Sequence, residues 1–97
     1  MFNNMKTLTV EDLDKLVSDV GFYKVEGTTT TICTIKTISD FVIVGTSATI
    51  SEENFDEEIG KKIAYDNAFE KLWELEGYYI KRTENLPKES KIITSIN

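Results

Sequence analysis

The chain has 97 residues, of which 40% are hydrophobic and 29% are charged, as is typical of one folded domain, here residues 1–97. Its net charge of −6 opposes nonspecific binding to nucleic acid and to anionic membranes. One cysteine and no histidine exclude an internal disulfide and disfavour zinc, so we expect no metal and no cofactor. Without a long apolar run or a secretion signal, the protein is expected in the cytoplasm.

The first predicted element is a helix from Thr9 to Val20. Thr9 can cap its first turn, and hydrophobic residues at positions 13, 16, 17 and 20 have the spacing of one helical face. Gly21 is a natural stop, because glycine readily adopts the conformation that ends a helix.

Three segments rich in β-branched and aromatic residues follow this helix. They are Phe22–Val25, Thr28–Ile38 and Phe41–Ile50, and the dipeptides Glu26-Gly27 and Ser39-Asp40 between them favour turns. The pattern predicts an antiparallel meander.

The last of these segments is apolar on both sides of the predicted sheet. Phe41 and Ile43 fall on one face, whereas Val42, Val44 and Ile50 fall on the other. We therefore expect both faces to be covered. The second cover is either the N-terminal helix, which would make a sheet between two helices, or another subunit of a symmetric homo-oligomer.

A long amphipathic helix is predicted from Phe55 to about Glu76, with Ser51 or Asp56 as its cap and Gly77 as a break or a close contact. The predicted core stripe consists of Ile59, Ile63, Phe69, Leu72 and Trp73. The tail, residues 84–97, is weakly determined, although its segment KIITSI could add an edge strand. The expected fold is α+β: an N-terminal helix, an antiparallel meander of two to four strands, and this helix.

Catalytic groups are scarce in the sequence. A hydroxyl or thiol nucleophile needs a neighbouring base, and histidine is missing. Cys33 lies in the apolar segment TICTI, which favours a buried, inert thiol. The five glycines are too dispersed to form a phosphate-binding loop. We therefore predict a binding protein and not an enzyme.

Candidate ligand contacts lie on the long helix. Asp66 falls within the predicted stripe, so it requires either a basic partner from a neighbouring element or a ligand. Asn67 at the stripe's edge could bond to a base or ribose. Arg82 follows Tyr78 and Tyr79, a combination suited to a phosphate and a stacked base, although an exposed arginine is often simply solvated.

Five carboxylates lie between residues 52 and 58. Acids at the start of a helix are stabilised by the helix dipole, which makes a solvated cap the simplest interpretation. The spacing matches no calcium loop. The sharper alternative is imitation of DNA phosphates, by which an acidic protein inhibits a nucleic-acid-binding enzyme.

Several sequence pieces together carry a family resemblance: the threonine-rich strand with its hairpin, then GTSA, NFDEEIGKKIA, an NA dipeptide and KLWELEGY. Over residues 28–82 the chain resembles the gene-49/gene-66 family of small proteins encoded by tailed phages. The N-terminal TVEDLDKLV is similar to the leading helix of that family. The resemblance implies a phage origin and a non-structural accessory role.

The layout is also similar to that of phage sponges that sequester cyclic ADP-ribose-type signals of the bacterial Thoeris defence. Such sponges are symmetric oligomers that bind nucleotides at subunit junctions through aromatic, asparagine and arginine side chains. This resemblance implies Phe55, Asn67 and Arg82 as ligand contacts, matched by order and chemistry.

The predicted function is counter-defence in the host bacterial cytoplasm: a homo-oligomer binds a nucleotide-derived immune signal without turning it over. The predicted ligand-binding residues are Phe55, Asn67, Arg82, Asp66 and Tyr78, with no catalytic or metal-binding residue. The alternative is an acidic protein inhibitor, which includes a DNA mimic, of a host defence or nucleic-acid enzyme.

Overall fold

The computed structural model describes residues 8–51, 53 and 55–85. The fold is α+β, as predicted: a short helix, a three-stranded antiparallel sheet and a long helix. The elements in chain order are α1 (Val10–Asp14), β1 (Val17–Lys24), β2 (Thr31–Thr37), β3 (Val42–Ser47) and α2 (Glu57–Glu84). The strand considered for the tail lies outside the described residues.

The helix α1 begins at a reciprocal cap between Thr9 and Asp12. The Asp12 backbone N–H donates to Thr9 Oγ1, and the Thr9 backbone N–H donates to Asp12 Oδ2, both at 3.1 Å. The hydrogen bond from the Thr9 backbone, followed by a contribution of the Thr9 side chain, holds the pKa of the Asp12 carboxyl below its usual value. The capping box expected of Thr9 is thus present.

The helix ends at Asp14, six residues earlier than predicted, and Val17 and Val20 belong to β1. The error has a physical cause in a register shift of β1 between Val17 and Asp19. This bulge turns both valines towards the same core although they are three residues apart, which imitates helical spacing. Gly21 is therefore not a helix stop; it lies in β1 opposite Thr34.

The sheet has the order β1-β2-β3, with every neighbouring pair antiparallel, so the predicted meander is correct. Its two turns lie where the dipeptides predicted them. Gly27 adopts φ 79° in the first turn, and Asp40 adopts φ 64° in the second. Thr37 Oγ1 stabilises the second turn by accepting a hydrogen bond from the Phe41 backbone N–H at 3.1 Å.

Both helices pack on one side of the sheet. Leu13 of α1 and Leu72 of α2 belong to the same buried cluster as Cys33, Ile35 and Ile43. Since residues directly opposite in an antiparallel sheet share a face, the register defines the other side, which we call the open face. Its residues are Asp19, Gly21, Tyr23, Ile32, Thr34, Lys36, Val42, Val44 and Thr46.

The described residues leave the open face without a helix, so the predicted sheet between two helices is wrong. α1 reaches the helix side instead, because Leu13 is fully buried there. Phe41 lines a groove on the helix side together with Ile43, as the alternation predicted, whereas Ile50 departs from it. Phe41 and Ile50 both lie outside the strand, and Ile50 is fully exposed.

The long helix α2 contacts the sheet through small residues. Gly60, Ala64, Ala68 and Leu72, four residues apart, are its buried positions. The predicted stripe is wrong except for Leu72 and the half-buried Phe69, since Ile59, Ile63 and Trp73 are 55%, 45% and 40% exposed. Where a helix packs closely on a sheet, small side chains fill the space between them. A search of the sequence for large apolar residues therefore misses these contact positions.

The ends of α2 also refine the prediction. Asp56 is the cap, because its Oδ1 accepts hydrogen bonds from the backbone N–H groups of Glu58 and Ile59 at 3.0 and 3.3 Å. Gly77 neither breaks the helix nor makes a close contact: a Cβ there would meet nothing within 4 Å among the described residues. The helix continues to Glu84 and is about 42 Å long at a rise of about 1.5 Å per residue.

Candidate functional site

An apolar groove of about 570 Å³ lies between the β2–β3 turn and the C-terminal part of α2. A volume of this size is in the range of small-molecule sites. Its apolar lining is Leu16, Ile38, Phe41, Ile43, Leu72 and Leu75, and its polar lining is Thr37, Ser39, Glu76 and Tyr79.

The groove exists because α2 extends past the end of the sheet. Leu75 and Tyr79 follow Leu72 by three and seven residues, so they continue the sheet-facing side of the helix. In the described part of the chain these two side chains are only partly covered, with exposures of 48% and 55%. Across the groove, Ile38 and Phe41 of the turn are 64% and 58% exposed. Large apolar side chains left uncovered on two facing elements mark an interaction site.

The polar groups of the groove differ in their availability. Thr37 Oγ1 and Ser39 Oγ are 3.0 Å apart and hydrogen-bonded to each other, and the Thr37 hydroxyl also accepts from the Phe41 backbone N–H. These hydroxyls therefore hold the turn. Glu76 and Tyr79 project from α2 into the same groove. The rings of Phe41 and Tyr79 can stack on a flat apolar group, and Glu76 and the Tyr79 hydroxyl can form hydrogen bonds with the polar edge of that group.

Two of the residues predicted from the sequence, Tyr78 and Arg82, lie on α2 next to Tyr79 in sequence or one turn beyond it, but they are not part of the groove's lining. Tyr78, which is 67% exposed, precedes Tyr79 on α2. Arg82 is exposed and follows Tyr78 by four residues and Tyr79 by three, so the three side chains share one side of the helix. The structure thus places an arginine one turn beyond the aromatic residues of the groove.

Phe55 and Asn67 lie elsewhere. Asn67 Nδ2 donates to the Thr46 carbonyl oxygen on β3 at 2.8 Å, and about 22 Å of helix separates Asn67 from Arg82. The Phe55 ring precedes α2 and has the Lys24 ammonium 5.2 Å from its centre. One chain therefore does not bring Phe55, Asn67 and Arg82 together.

Asp66 is exposed and does not lie in a buried stripe, which corrects the position predicted for it. Its Oδ2 accepts a hydrogen bond from Lys62 Nζ at 2.9 Å, so its basic partner is one turn away on the same helix and not on a neighbouring element. A shallow hollow of about 360 Å³ adjoins it, lined by Asp66, Phe69, Glu70 and Trp73.

A protein-family model, described as the Phage protein (N4 Gp49/phage Sf6 gene 66) family, matches residues 8–84, most of the chain. The chain belongs to this family. No curated protein and no solved structure matches it. The N4 Gp49/Sf6 gene 66 family match runs from just before α1 to the last residue of α2, so it covers the whole described fold. The resemblance predicted over residues 28–82 is confirmed, and this is a phage protein.

In this member of the N4 Gp49/Sf6 gene 66 family, three of the five carboxylates between residues 52 and 58 stabilise the start of α2. Asp56 caps the helix, while Glu57 and Glu58 lie 4.0 and 3.8 Å from Lys61 Nζ. Within the described residues, no cluster of three Cys, Asp or Glu side chains has a metal-binding arrangement, and no helix is long and apolar enough to cross a bilayer.

Cys33 is fully buried, as the sequence indicated. Burial raises the pKa of its thiol, because a low-polarity environment disfavours the thiolate. The sequence prediction missed Ile38, Leu75 and Glu76 as groove residues. The available signal was the continuation from Leu72 to Leu75 and Tyr79 at helical spacing, past the glycine that was interpreted as a break.

Proposed function

We propose that this phage protein acts by binding and not by catalysis, and that it sequesters a nucleotide-derived immune signal of the cyclic ADP-ribose type in the host cytoplasm. The observation that carries the proposal is the groove in which the exposed rings of Phe41 and Tyr79 lie on opposite walls, with Arg82 one turn beyond. Rings of this kind stack on bases, and a guanidinium forms paired hydrogen bonds with phosphate oxygens.

The groups that line the groove support binding without turnover as part of this proposal. Among the described residues, the Thr37 and Ser39 hydroxyls bond to each other and to the turn, and neither is hydrogen-bonded to a basic side chain. Glu76 and Tyr79 are the ionisable side chains of the lining. The proposal retains Tyr78 and Arg82 as ligand contacts, whereas Phe55 and Asn67 would require a second chain to reach the same ligand.

Isothermal titration with cyclic ADP-ribose isomers and cyclic oligonucleotides tests the proposal. We expect binding of at least one ligand and a loss of affinity of about tenfold or more in Tyr79→Ala and in Arg82→Ala. Lys81→Ala is the matched control, because it removes the same charge about 100° away around the helix. Heating the complex should release the ligand intact.

Three results would contradict the proposal. Absence of binding to every ligand tested removes the signal-sequestering function. Equal effects of Arg82→Ala and Lys81→Ala remove the phosphate contact from the groove. Recovery of a chemically altered ligand assigns the protein to the enzymes.

A second candidate, inhibition of a host enzyme through the acidic surface, draws support from Glu57 and Glu58, whose side chains remain 63% and 83% exposed despite their proximity to Lys61. Charge reversal at both positions should abolish capture of a host protein from a lysate while Arg82→Ala leaves capture unchanged. The opposite pattern excludes this candidate.

A further inference from the structure

A line of aromatic side chains runs along a side of α2 that does not belong to the groove. The rings of Tyr65, Phe69 and Trp73 follow one another at intervals of four residues, so they are neighbours on the helix surface. Tyr65 and Phe69 pack half-buried against the core, with their ring centres 5.5 Å apart, whereas Trp73 is 40% exposed. We call these three side chains the aromatic row.

Carboxylates from both helices border the aromatic row. Asp66 and Glu70 line the hollow of about 360 Å³ beside it. Burial first, and then negative charges that include those of Asp14 on α1 and Asp66 on α2, raise the pKa of the Tyr65 phenol. These two carboxylates therefore lie near the start of the row. Because the face of an aromatic ring is itself electron-rich, rings bordered by acids attract a cation and repel an anion.

The aromatic row is separate from the two surfaces discussed above. Trp73 directly follows Leu72, which lines the groove, so the two side chains point about 100° apart around α2. Glu58, at the start of the same helix, lies about 22 Å from Trp73 along the axis. A ligand of the aromatic row is therefore independent of the nucleotide proposed for the groove, whose phosphates the neighbouring carboxylates would repel.

We propose that the aromatic row binds an arginine-rich segment of a partner protein. A guanidinium is flat and positively charged, so it can stack on the Trp73 ring while it forms paired hydrogen bonds with a carboxylate. Glu70 is that carboxylate, because Asp66 Oδ2 already accepts a hydrogen bond from Lys62 Nζ at 2.9 Å. The contact with Lys62 also shows that a cation fits at the rim of the hollow.

The length of the surface favours a segment with several arginines over a small cation. One cation on an exposed ring gains only about two- to fivefold in affinity. Asp66, Glu70 and Glu74 recur every four residues, about 6 Å apart along the axis of α2. Alternate side chains of an extended peptide are about 6.6 Å apart, so successive arginines can reach successive carboxylates. The net charge of −6 adds a long-range attraction for a basic partner.

Tryptophan fluorescence of the full chain, titrated with a peptide in which three arginines alternate with alanines, tests this binding. Trp73 is the single tryptophan of the chain, so its emission reports whether the row is occupied. We expect a dissociation constant of about 100 µM or below at about 50 mM salt. The same peptide with lysine or uncharged citrulline in place of arginine should bind at least about fivefold more weakly.

Fluorescence anisotropy of a labelled arginine peptide measures the variants. Glu70→Gln and Trp73→Leu should each weaken binding at least about fivefold, because the first removes the charged partner and the second removes the ring. Glu84→Gln is the matched control for charge, at about 21 Å from Glu70 along α2. Tyr23→Leu is the matched control for the ring, because Tyr23 is exposed on the open face. Both controls should change the affinity less than about twofold.

Any of three outcomes would overturn the assignment of the aromatic row. The first is no binding of the arginine peptide at about 1 mM. The second is equal affinity for the lysine peptide, or equal losses in Glu70→Gln and Glu84→Gln, since the net charge alone would then attract the peptide. The third is equal affinity for free arginine ethyl ester, which would make the ligand a small cation. Glu70 is exposed, so Glu70→Gln should keep the circular dichroism of the wild type, which separates lost binding from lost folding.

Discussion

The contact between Gly45 and α2 sets the distance between the helix and the sheet. A Cβ atom at Gly45 would lie 2.3 Å from the Ala68 nitrogen and 2.4 Å from the Ala64 oxygen, and both are backbone atoms of α2. Neither can move aside as a flexible side chain would. Gly77 is the opposite case, because a Cβ atom there would meet no described residue within 4 Å.

Alanine substitution should therefore have opposite effects at these two glycines. Gly45→Ala must push α2 away from the sheet, so we expect a loss of at least about 3 kcal/mol in the free energy of unfolding. Gly77→Ala should stabilise by about 0.5–1 kcal/mol, because alanine is the better helix former. Urea denaturation of both variants measures the difference. A mild effect at Gly45 would contradict the close contact.

A buried thiol makes stability depend on pH in the alkaline range. Cys33 has its pKa raised by burial, so the native thiol ionises above the ordinary value of 9.0 at which the unfolded thiol ionises. Unfolding then releases protons, and the stabilisation present below pH 9 is lost as the pH rises towards the native pKa. The pKa of Tyr65 is also raised, mainly by burial, so its ionisation lowers the stability further from about pH 10.0 upward.

We expect the urea midpoint to fall from about pH 9 upward, and Cys33→Ala to delay the onset by about one pH unit. The native thiol should also react slowly with an aromatic disulfide reagent at pH 8 and quickly in urea. Equal slopes for wild type and Cys33→Ala between pH 9 and 10 would contradict the role of the thiol.

At the scale of elements, local chemistry predicted the turns, the caps and the order of strands, because these depend on neighbours in sequence. The bulge in β1 was not predictable, since it is created by pairing with β2, and its spacing of valines resembles a helix. The sheet-facing side of α2 was missed because the helix lies close to the sheet there, so alanine and glycine occupy the contact positions. The tyrosines at the C-terminal end of α2 could be predicted as candidate contacts from the sequence. The other wall of the groove, with Ile38 and Phe41, could not, because it depends on where the β2–β3 turn meets α2.

The side chains that join α2 to β3 provide a test at this scale. Lys71 Nζ donates to the Val44 carbonyl oxygen at 2.7 Å, whereas the partner of Lys62 among the described residues is Asp66 on its own helix. Lys71→Met should lower the free energy of unfolding by about 1 kcal/mol, and Lys62→Met by about 0.3 kcal/mol, although both substitutions remove one exposed positive charge. Urea denaturation ranks them. Equal costs would mean that the contact with β3 contributes nothing.

At the scale of the whole molecule, net charge opposes assembly and apolar burial favours it. Each chain carries −6, and at about 0.1 M salt the field is screened beyond about 10 Å. Added salt should therefore strengthen the homo-oligomer expected from the sequence, because identical acidic chains repel one another less when their charges are screened.

Sedimentation at about 20 and 300 mM sodium chloride checks this expectation, with at least a several-fold decrease in the dissociation constant at the higher salt. Lys81→Glu should increase the salt dependence by making each chain more acidic. An oligomer that dissociates as salt is added would indicate that ion pairs between the chains hold it together, and would contradict this expectation.

The extension of α2 past the sheet also has a consequence for local unfolding. Up to Leu72 the helix α2 has buried residues, whereas from Leu75 to Glu84 its residues are exposed or half-buried in the described part of the chain. The helix should therefore consist of a slowly exchanging and a rapidly exchanging part. A molecule that fills the groove would stabilise the second part. Hydrogen exchange along one continuous helix would then report groove occupancy without any label on the bound molecule.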